Sequence, residues 1–511
     1  MFSKSDPDQI QSFLTDASYL QGGSASSIHF PETPEEVAEI LAKASRERTP
    51  VTVSGAGTGT VAGRVPFGGI VIATDKLNQI KSIVKRDDGG RAVAEAGVIL
   101  RDLQKFVDSE GLLYPPDPTE RSCFLGGTIA TNASGARTFK YGPTRSYIDR
   151  LKIALATGDV IDVRRGMLRA DQNGVIHVPL SQGRSIKAHL PGYHLPDVRK
   201  HAAGYYSAPG MDALDLFIGS EGTLGVIVEA EVRLLPKPEG LLSGVVFFAT
   251  NDDLLAFVAD AREASLQTRR DAESAVLCGL PAEPSIDARA LEYFDNESLS
   301  FLRQRYHTVP EQAVGAVFFE QETTPGTEDI LMTEWLRLLE GHHALGDESW
   351  FANTEDDQEK LREFRHQLPV LMNEWFARYN QQKVSTDMAV PDDQFASMLN
   401  FYEQTLRASD LRYTIFGHIG DNHVHVNILP RDDAEGTRAR EIYMEFVRRA
   451  VSVGGTISAE HGIGKLKREY LREMYSDDQL HEMAALKRAF DPAAILGRGN
   501  IFDEEYLNFE L

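Results

Sequence analysis

The stretch FGHIGDNHVHVN, residues 416–427, holds three histidines, one aspartate and two asparagines. Imidazole nitrogens bind borderline divalent ions and move protons near neutral pH. Side chains alternate faces along a strand. A strand over 423–429 therefore puts His423, His425 and Asn427 on one face and Val424, Val426 and Ile428 on the other. His418 arrives from a glycine-bounded segment and folds over the same polar face. The pair His418 and His425, with six residues between them, suits a divalent ion if a carboxylate joins it from elsewhere. The best-placed one is Glu460 in GGTISAEHGIGKLK, residues 454–467, directly before His461. The competing reading leaves His418 and His425 as ordinary hydrogen-bonded histidines. Upstream stand Arg365 and Lys383, a guanidinium fork and a point charge that suit a carboxylate. The chain has 53 Lys plus Arg, so solvated surface is the simpler reading of either cation.

Three glycine clusters form a second set of candidates. SGAGTGTVAG, 54–63, lets the backbone turn left-handed and point amides at an anion. It lacks the Gly-Lys-Ser/Thr ending of a P-loop, and Thr60 breaks a dinucleotide fingerprint. CFLGGTIATNASGARTFKYG, 123–142, combines small residues with Arg137 and Lys140, and Arg145 follows; all three are candidate phosphate contacts. GSEGTLGVI, 219–227, is the third. Each alone reads equally well as a tight turn.

The elements that must position these groups are partly legible. TPEEVAEILAKASRE begins a helix: Thr33 caps, Pro34 takes the first position, and Glu36 completes a capping box. It follows an irregular lead-in of about 30 residues and precedes the strands PVTVS and GGIVIAT, a βαβ-like opening. LKIALATGDVIDV reads as a hairpin turning near Gly158-Asp159. Residues 181–213 read as irregular. PKPEG, 236–240, marks a boundary. Beyond it LSGVVFFAT, AVGAVFFEQ and RYTIFGHIG read as strands. Helices near 251–269, 325–340 and 355–377 alternate with them, which predicts an antiparallel sheet with helices on one face. A last helix ends at Pro492.

The 511 residues suggest about three domains. Hydrophobic residues make up 42% and charged ones 25%, as in folded, soluble proteins. A net charge of -23 disfavours nucleic acid and anionic membrane. Two cysteines, Cys123 and Cys278, cannot build an iron–sulfur or disulfide framework, so a reducing compartment fits best. The first residues lack the pattern of a signal peptide, and no run of about eighteen apolar residues predicts a membrane span.

Taken together, GAGTGTVAG, PPDPTE-SCFLGGTIATNASGARTFKYG, FIGSEGTLGVI, GHIGDNHVHVN, SAEHGIGKLK and GRGNIF closely resemble the FAD-linked oxidase superfamily of the vanillyl-alcohol-oxidase type. The resemblance runs from about residue 25 to 503. It is strongest to the branch of D-lactate, glycolate and D-2-hydroxyglutarate dehydrogenases. It implies an α+β protein. A lead-in at 1–24 would precede a two-subdomain PCMH-type FAD-binding domain at 25–238. An α+β cap and substrate domain with an antiparallel sheet would span 239–460. The C-terminal segment 461–511 would return to the FAD domain.

In that scheme Ser54, Gly55, Ala56, Gly57, Thr58 and Gly59 would hold the pyrophosphate. Pro118, Thr119, Gly126, Gly127, Ala130, Asn132, Ser134, Gly135, Tyr141 and Gly142 would line the pyrophosphate and flavin ring. Glu221, Gly222, Gly225 and Ile227 would close over the adenine side, and Asn500 would join them. His418, His425 and Glu460 would match the ligands of a divalent metal, zinc first, and His461 the catalytic base. Arg365 and Lys383 would hold the substrate carboxylate, with Asn427 and His423 as further contacts. The FAD is expected to be noncovalent, because the first glycine loop has no histidine.

The implied activity is oxidation of a 2-hydroxy acid, D-lactate first, with electrons leaving to a quinone, cytochrome, electron-transfer flavoprotein or iron–sulfur subunit. The implied place is cytoplasmic, with peripheral membrane attachment through a partner and a homodimer left open. The competing functions are an alkylglycerone-phosphate-synthase-like flavoenzyme and a non-catalytic flavin-binding subunit of an electron-transfer complex. The chain departs from the family pattern in three places. Asn422-His423 stands where relatives have Gly-Asn. Ala62-Gly63 replaces a Gly-Gly end. The segment 184–210 is longer and more aromatic, with Tyr193, Tyr205 and Tyr206.

Overall fold

The computed structural model describes residues 2–278 and 283–507. Among them the strands form four sheets. In the first, Ser27–Phe30 and Val51–Ser54 both run parallel to Ile70–Ala73. The helix Pro34–Glu47 makes the crossover. Thr33 caps it by accepting from the Glu36 amide, and the Glu36 carboxylate accepts from the Glu32 amide. Its buried stripe Val37, Ile40, Leu41 and Ala44 packs on Val51, Ile72, Ile495 and Leu496. Leu496 also bridges Val51, so the C-terminal segment is built into the first sheet. The lead-in is more ordered than its sequence suggests. Phe2–Lys4 adds an antiparallel strand to Ser27–Phe30, and Pro7–Ile10 is a helical turn. Elements of three or four residues are too short to show a period.

The second sheet is antiparallel and is centred on Val226–Pro236, flanked by Gly89–Glu95 and Ile148–Ala154. The expected hairpin is present: Ile148–Ala154 pairs Val160–Arg164, and Gly158 turns with φ +87°. The segment expected to be irregular from 181 opens with a 3-10 turn, Ser181–Gly183, and then a strand, Ser185–His189, paired to Val175–Pro179. From 190 it runs over the C-terminal helix Asp477–Phe490, with Tyr193 packed on Tyr475 at 4.4 Å between ring centres.

Residues 237–239 separate the second sheet from a seven-stranded antiparallel one. Its order is Trp350–Ala352, Gly240–Phe248, Gly315–Thr323, Ala288–Asp295, Tyr413–Gly417, His425–Ile428 and Val384–Ser385. Helices cover both faces, not one. Val245, Phe247 and Phe318 pack with Phe364 and Leu368 of the helix Glu355–Tyr379. Val246, Phe248 and Phe319 pack with Phe257 and Trp335 of Asn251–Cys278 and Glu328–Gly341. Adjacent residues of a strand face opposite sides, so both faces of this sheet must be apolar. Every residue of Ala288–Asp295 is buried accordingly.

Candidate functional site

The three histidines gather where Tyr413–Gly417 gives way to His425–Ile428. Between the strands the chain makes a 3-10 turn, Ile419–Asp421, and reverses through Asn422 at φ +53°. The His423 amide then donates back to the His418 carbonyl. The strand thus starts two residues later than expected. His425 and Asn427 share its polar face, whereas His423 reaches the same place from the turn. Ring centres lie 4.5 Å apart for His423 and His425, and 5.4 Å apart for His418 and His423.

Glu460 closes the cluster from the opposite side. Its carboxylate oxygens lie 3.3 Å from His418 Nε2, 3.8 Å from His423 Nδ1 and 3.8 Å from His425 Nε2. One ligand atom from each of these four residues lies within 4.8 Å of every other. His461 follows directly, its ring nearly parallel to that of His425. Its side chain is 34% exposed, against 5% for His418 and 0% for His423.

Three charged residues that the sequence did not single out hold this arrangement. Glu292, on the buried strand Ala288–Asp295, accepts from His418 Nδ1 at 2.6 Å and from Arg365 Nε at 3.0 Å. Burial alone would raise its pKa, but Arg365 and His418 bring it down to about 2. Asp387 accepts from Ser458 Oγ, Lys467 Nζ and the amides of Glu460 and His461. It also lies 3.3 Å from His461 Nδ1. Burial opposes its charge, yet these partners hold it well below the usual carboxylate range. Lys200, from the long 184–210 segment, donates to Glu460 Oε1 at 2.7 Å and to the Gly135 carbonyl at 2.8 Å. His418 is pushed up to about 9: burial would lower it, but Glu292 and Glu460 prevail.

A small cavity of about 50 Å³ adjoins the cluster, lined by Thr119, Glu292, Arg365, His366, His418 and His425. It brings Arg365 and Thr119 to the histidines. Lys383 is exposed just before Val384–Ser385 and makes no hydrogen bond or ion pair among the described residues. Asn427 is buried and donates to the His425 carbonyl, away from the cavity lining.

The glycine motifs also converge. Ser54 ends a strand, and Arg64 donates to Ser54 Oγ and the Gly55 carbonyl while reaching back to the Thr15 carbonyl. A Cβ on Gly57, at φ +82°, would come within 2.4 Å of that guanidinium, whereas one on Gly59 would meet open space. Among the described residues the amides from Ala56 through Thr58 to Thr60 donate to nothing. Such a run suits an anion.

Gly135 and Gly126 are glycines for another reason, close packing. A Cβ on Gly135 would press on the Asp117 carbonyl at 2.1 Å, and one on Gly126 would lie 2.6 Å from that of Ala96. Gly127 opens to free space, and Ser134 Oγ donates to Glu460 Oε1. The Ala130 carbonyl accepts from the Glu221 amide, and Asn132 Oδ1 from that of Arg145. Pro118 and Thr119 precede them, the Tyr141 hydroxyl has no hydrogen-bond partner among the described residues, and Gly142 turns at φ +79°.

The Glu221 carboxylate accepts from the amides of Ile463 and Gly464, and burial raises it to about 7. Gly222 follows at φ +70°, Gly225 packs on Ile153, and Ile227 lies in the strand behind. Asn500 donates to the carbonyls of Gly63 and Glu221 and accepts from Lys465. The expected phosphate cations are engaged elsewhere. Arg137 pairs with Asp117 and Glu320, Lys140 with Asp287 and Glu322, and Arg145 with Asp215.

Two family models match this chain: an FAD binding domain over residues 25–164 and the C-terminal domain of FAD linked oxidases over 270–501. The glycolate oxidase subunit GlcD of Bacillus subtilis (strain 168) is 30% identical over 93% of this chain and 88% of its own length. A D-lactate dehydrogenase of Anaerostipes hadrus is 29% identical over 91% and 87% of the two chains. A D-2-hydroxyglutarate dehydrogenase of Stutzerimonas stutzeri (strain A1501) is 26% identical over 97% and 95%. A solved structure of alkyldihydroxyacetonephosphate synthase aligns with a TM-score of 0.66 at 15% identity, covering 97% of this chain and 81% of that one. That likeness speaks to the fold alone, and it agrees with the expected α+β architecture.

Proposed function

Since the chain belongs to the FAD-linked oxidase family, we propose that it oxidises a 2-hydroxy acid to the 2-oxo acid, with D-lactate first and glycolate or D-2-hydroxyglutarate next. One observation carries this reading. Arg365, His418 and His425 line one cavity with Glu292, which accepts from both Arg365 and His418, and the partly exposed His461 stacks against His425.

FAD, held without a covalent bond, would accept the hydride from the α-carbon. The unengaged amides of 56–60 fit its phosphates. A divalent ion, zinc first, would be held by His418, His425 and Glu460 and would make the substrate hydroxyl more acidic. The donor set fits: two imidazole nitrogens and a carboxylate aim at one buried point, and His418 and His425 turn their other nitrogens to Glu292 and the Thr386 carbonyl.

The residues of this chain do the rest. Arg365, fixed by Glu292, and Lys383 would hold the carboxylate and so orient the α-carbon. His461 presents Nδ1 to Asp387, which leaves Nε2 to take the hydroxyl proton and Asp387 to stabilise the resulting imidazolium. Lys200 and Lys467 neutralise the buried Glu460 and Asp387. Ser134 donates to Glu460, and Lys200 joins Glu460 to the Gly135 carbonyl, so a flavin held by this loop would lie near the base.

The electrons would leave to a quinone, cytochrome, electron-transfer flavoprotein or iron–sulfur partner rather than to oxygen. We place the protein in the cytoplasm, with any membrane contact made through that partner. No helix among the described residues is long and apolar enough to cross a membrane. The second reading is an alkylglycerone-phosphate-synthase-like flavoenzyme. Product formation separates the two. Purified protein with an artificial acceptor should convert D-lactate or a neighbouring 2-hydroxy acid to its 2-oxo acid. No conversion of any 2-hydroxy acid by flavin-loaded protein would reject the reading.

A further inference from the structure

His423 occupies a position that the three-ligand reading does not use. It is fully buried, yet neither ring nitrogen has an aligned hydrogen-bond partner among the described residues. A buried imidazole without an aligned hydrogen bond is unusual, because unpaired polar atoms away from water are costly. The two nitrogens face different groups. Nδ1 looks into the cluster, 3.8 Å from Glu460 Oε1, and Nε2 lies 3.2 Å from Asp387 Oδ1 on the far side.

That division matches the other two histidines. His418 turns Nδ1 to Glu292 and Nε2 to Glu460. His425 turns Nδ1 to the Thr386 carbonyl and Nε2 to Glu460. Metal-bound histidines nearly always give the second nitrogen to a carboxylate or carbonyl, which fixes the ring and the tautomer. All three histidines show the pattern here, each with one nitrogen turned inward.

We infer that His423 is a fourth protein ligand, so that this chain holds its divalent ion with three imidazoles and one carboxylate. The inference rests on the metal site proposed above and changes its character. An Asn at 423 would offer an amide oxygen in place of an imidazole. With His423 the donor set is richer in nitrogen, which favours zinc, cobalt or nickel over manganese and magnesium. Four protein ligands also leave one coordination place fewer for a substrate oxygen than three do. Asp387 then serves two histidines, as the outer partner of His423 and the orienting group of His461.

The test counts imidazoles directly. The full-length protein is stripped with a chelator, loaded with one equivalent of zinc and measured by X-ray absorption. Three imidazole shells are expected in the native chain and two in His423→Asn; two in the native chain would overturn the inference. The native measurement needs no variant, so misfolding of His423→Asn does not blunt it. Titration with cobalt and manganese gives a second readout. His423→Asn should bind cobalt roughly tenfold or more weakly and lose much of its preference over manganese. Unchanged affinity and preference in a variant with normal flavin content would contradict the inference. His418→Ala and His425→Ala separate the two claims. If neither weakens metal binding, the underlying site is wrong; if both do and His423→Asn does not, only the fourth ligand is wrong.

Discussion

Glu292→Gln isolates the link between the proposed metal cluster and the proposed carboxylate anchor, Arg365. The substitution keeps volume and removes one charge. In the native chain that carboxylate holds His418 Nδ1 at 2.6 Å and Arg365 Nε at 3.0 Å. A glutamine amide presents one oxygen where the carboxylate presents two, so it cannot accept from both groups in their present places. Loss of an outer carboxylate on a metal-bound histidine typically weakens the metal by about 10–100-fold, or ~1.4–2.8 kcal/mol. Arg365 would keep its charge without its partner, at a further cost of about 1–3 kcal/mol in stability or substrate binding. Competition against a chromophoric chelator measures the first effect, and KM for the 2-hydroxy acid measures the second. Both should move together, because one carboxylate serves both groups. Metal affinity within about threefold of native, with KM unchanged, would show that Glu292 is a structural ion-pair partner only.

His461→Ala should lower kcat by about 10²–10⁴ while flavin content stays normal, which steady-state assay and absorbance on the same sample will show. Gly57→Val places a side chain at φ +82° and against Arg64. The expected strain of about 1–3 kcal/mol should weaken FAD retention roughly tenfold, read as flavin per protein after gel filtration. Burial lifts Asp295 from its ordinary 3.8 to about 7. Between those values the folded chain keeps a proton that the unfolded chain has lost, so stability falls as pH rises, by up to ~1.4 kcal/mol per unit, and levels off above. Asp295→Asn, which can still cap the helix Asn296–Leu302, should flatten that slope in denaturant midpoints taken across the window. The FAD released by denaturing the protein should pass through a membrane that retains the chain; flavin left on the chain would contradict noncovalent binding.

The parts legible in the sequence share a reason: their signal is local. Thr33-Pro34 and the stripe from Val37 to Ala44 announce a helix within one turn of the chain. Gly158 announces a hairpin. The placing of His418, His425, Glu460 and His461 in one cluster was reachable because two short motifs carry all four. Glu292 was not reachable. Its strand, Ala288–Asp295, is buried on both faces and shows no alternation, and its partners lie 73 and 126 residues away. Lys200 and Asp387 sit in segments with no period at all, and only the folded chain reveals that each ends beside Glu460 or His461. The helices on both faces of the large sheet were missed for the same cause, since double burial erases the period that marks a one-sided sheet. His423 was visible as an oddity, but its role depends on which nitrogen faces which carboxylate.

The most direct test of the central claim is anaerobic mixing of oxidised, flavin-loaded protein with a panel of D- and L-2-hydroxy acids, followed by flavin absorbance. D-lactate, or glycolate or D-2-hydroxyglutarate, should bleach the flavin stoichiometrically with the matching 2-oxo acid formed, and His461→Ala should lose that bleaching. Flavin that stays oxidised with every acid in the panel would contradict that claim.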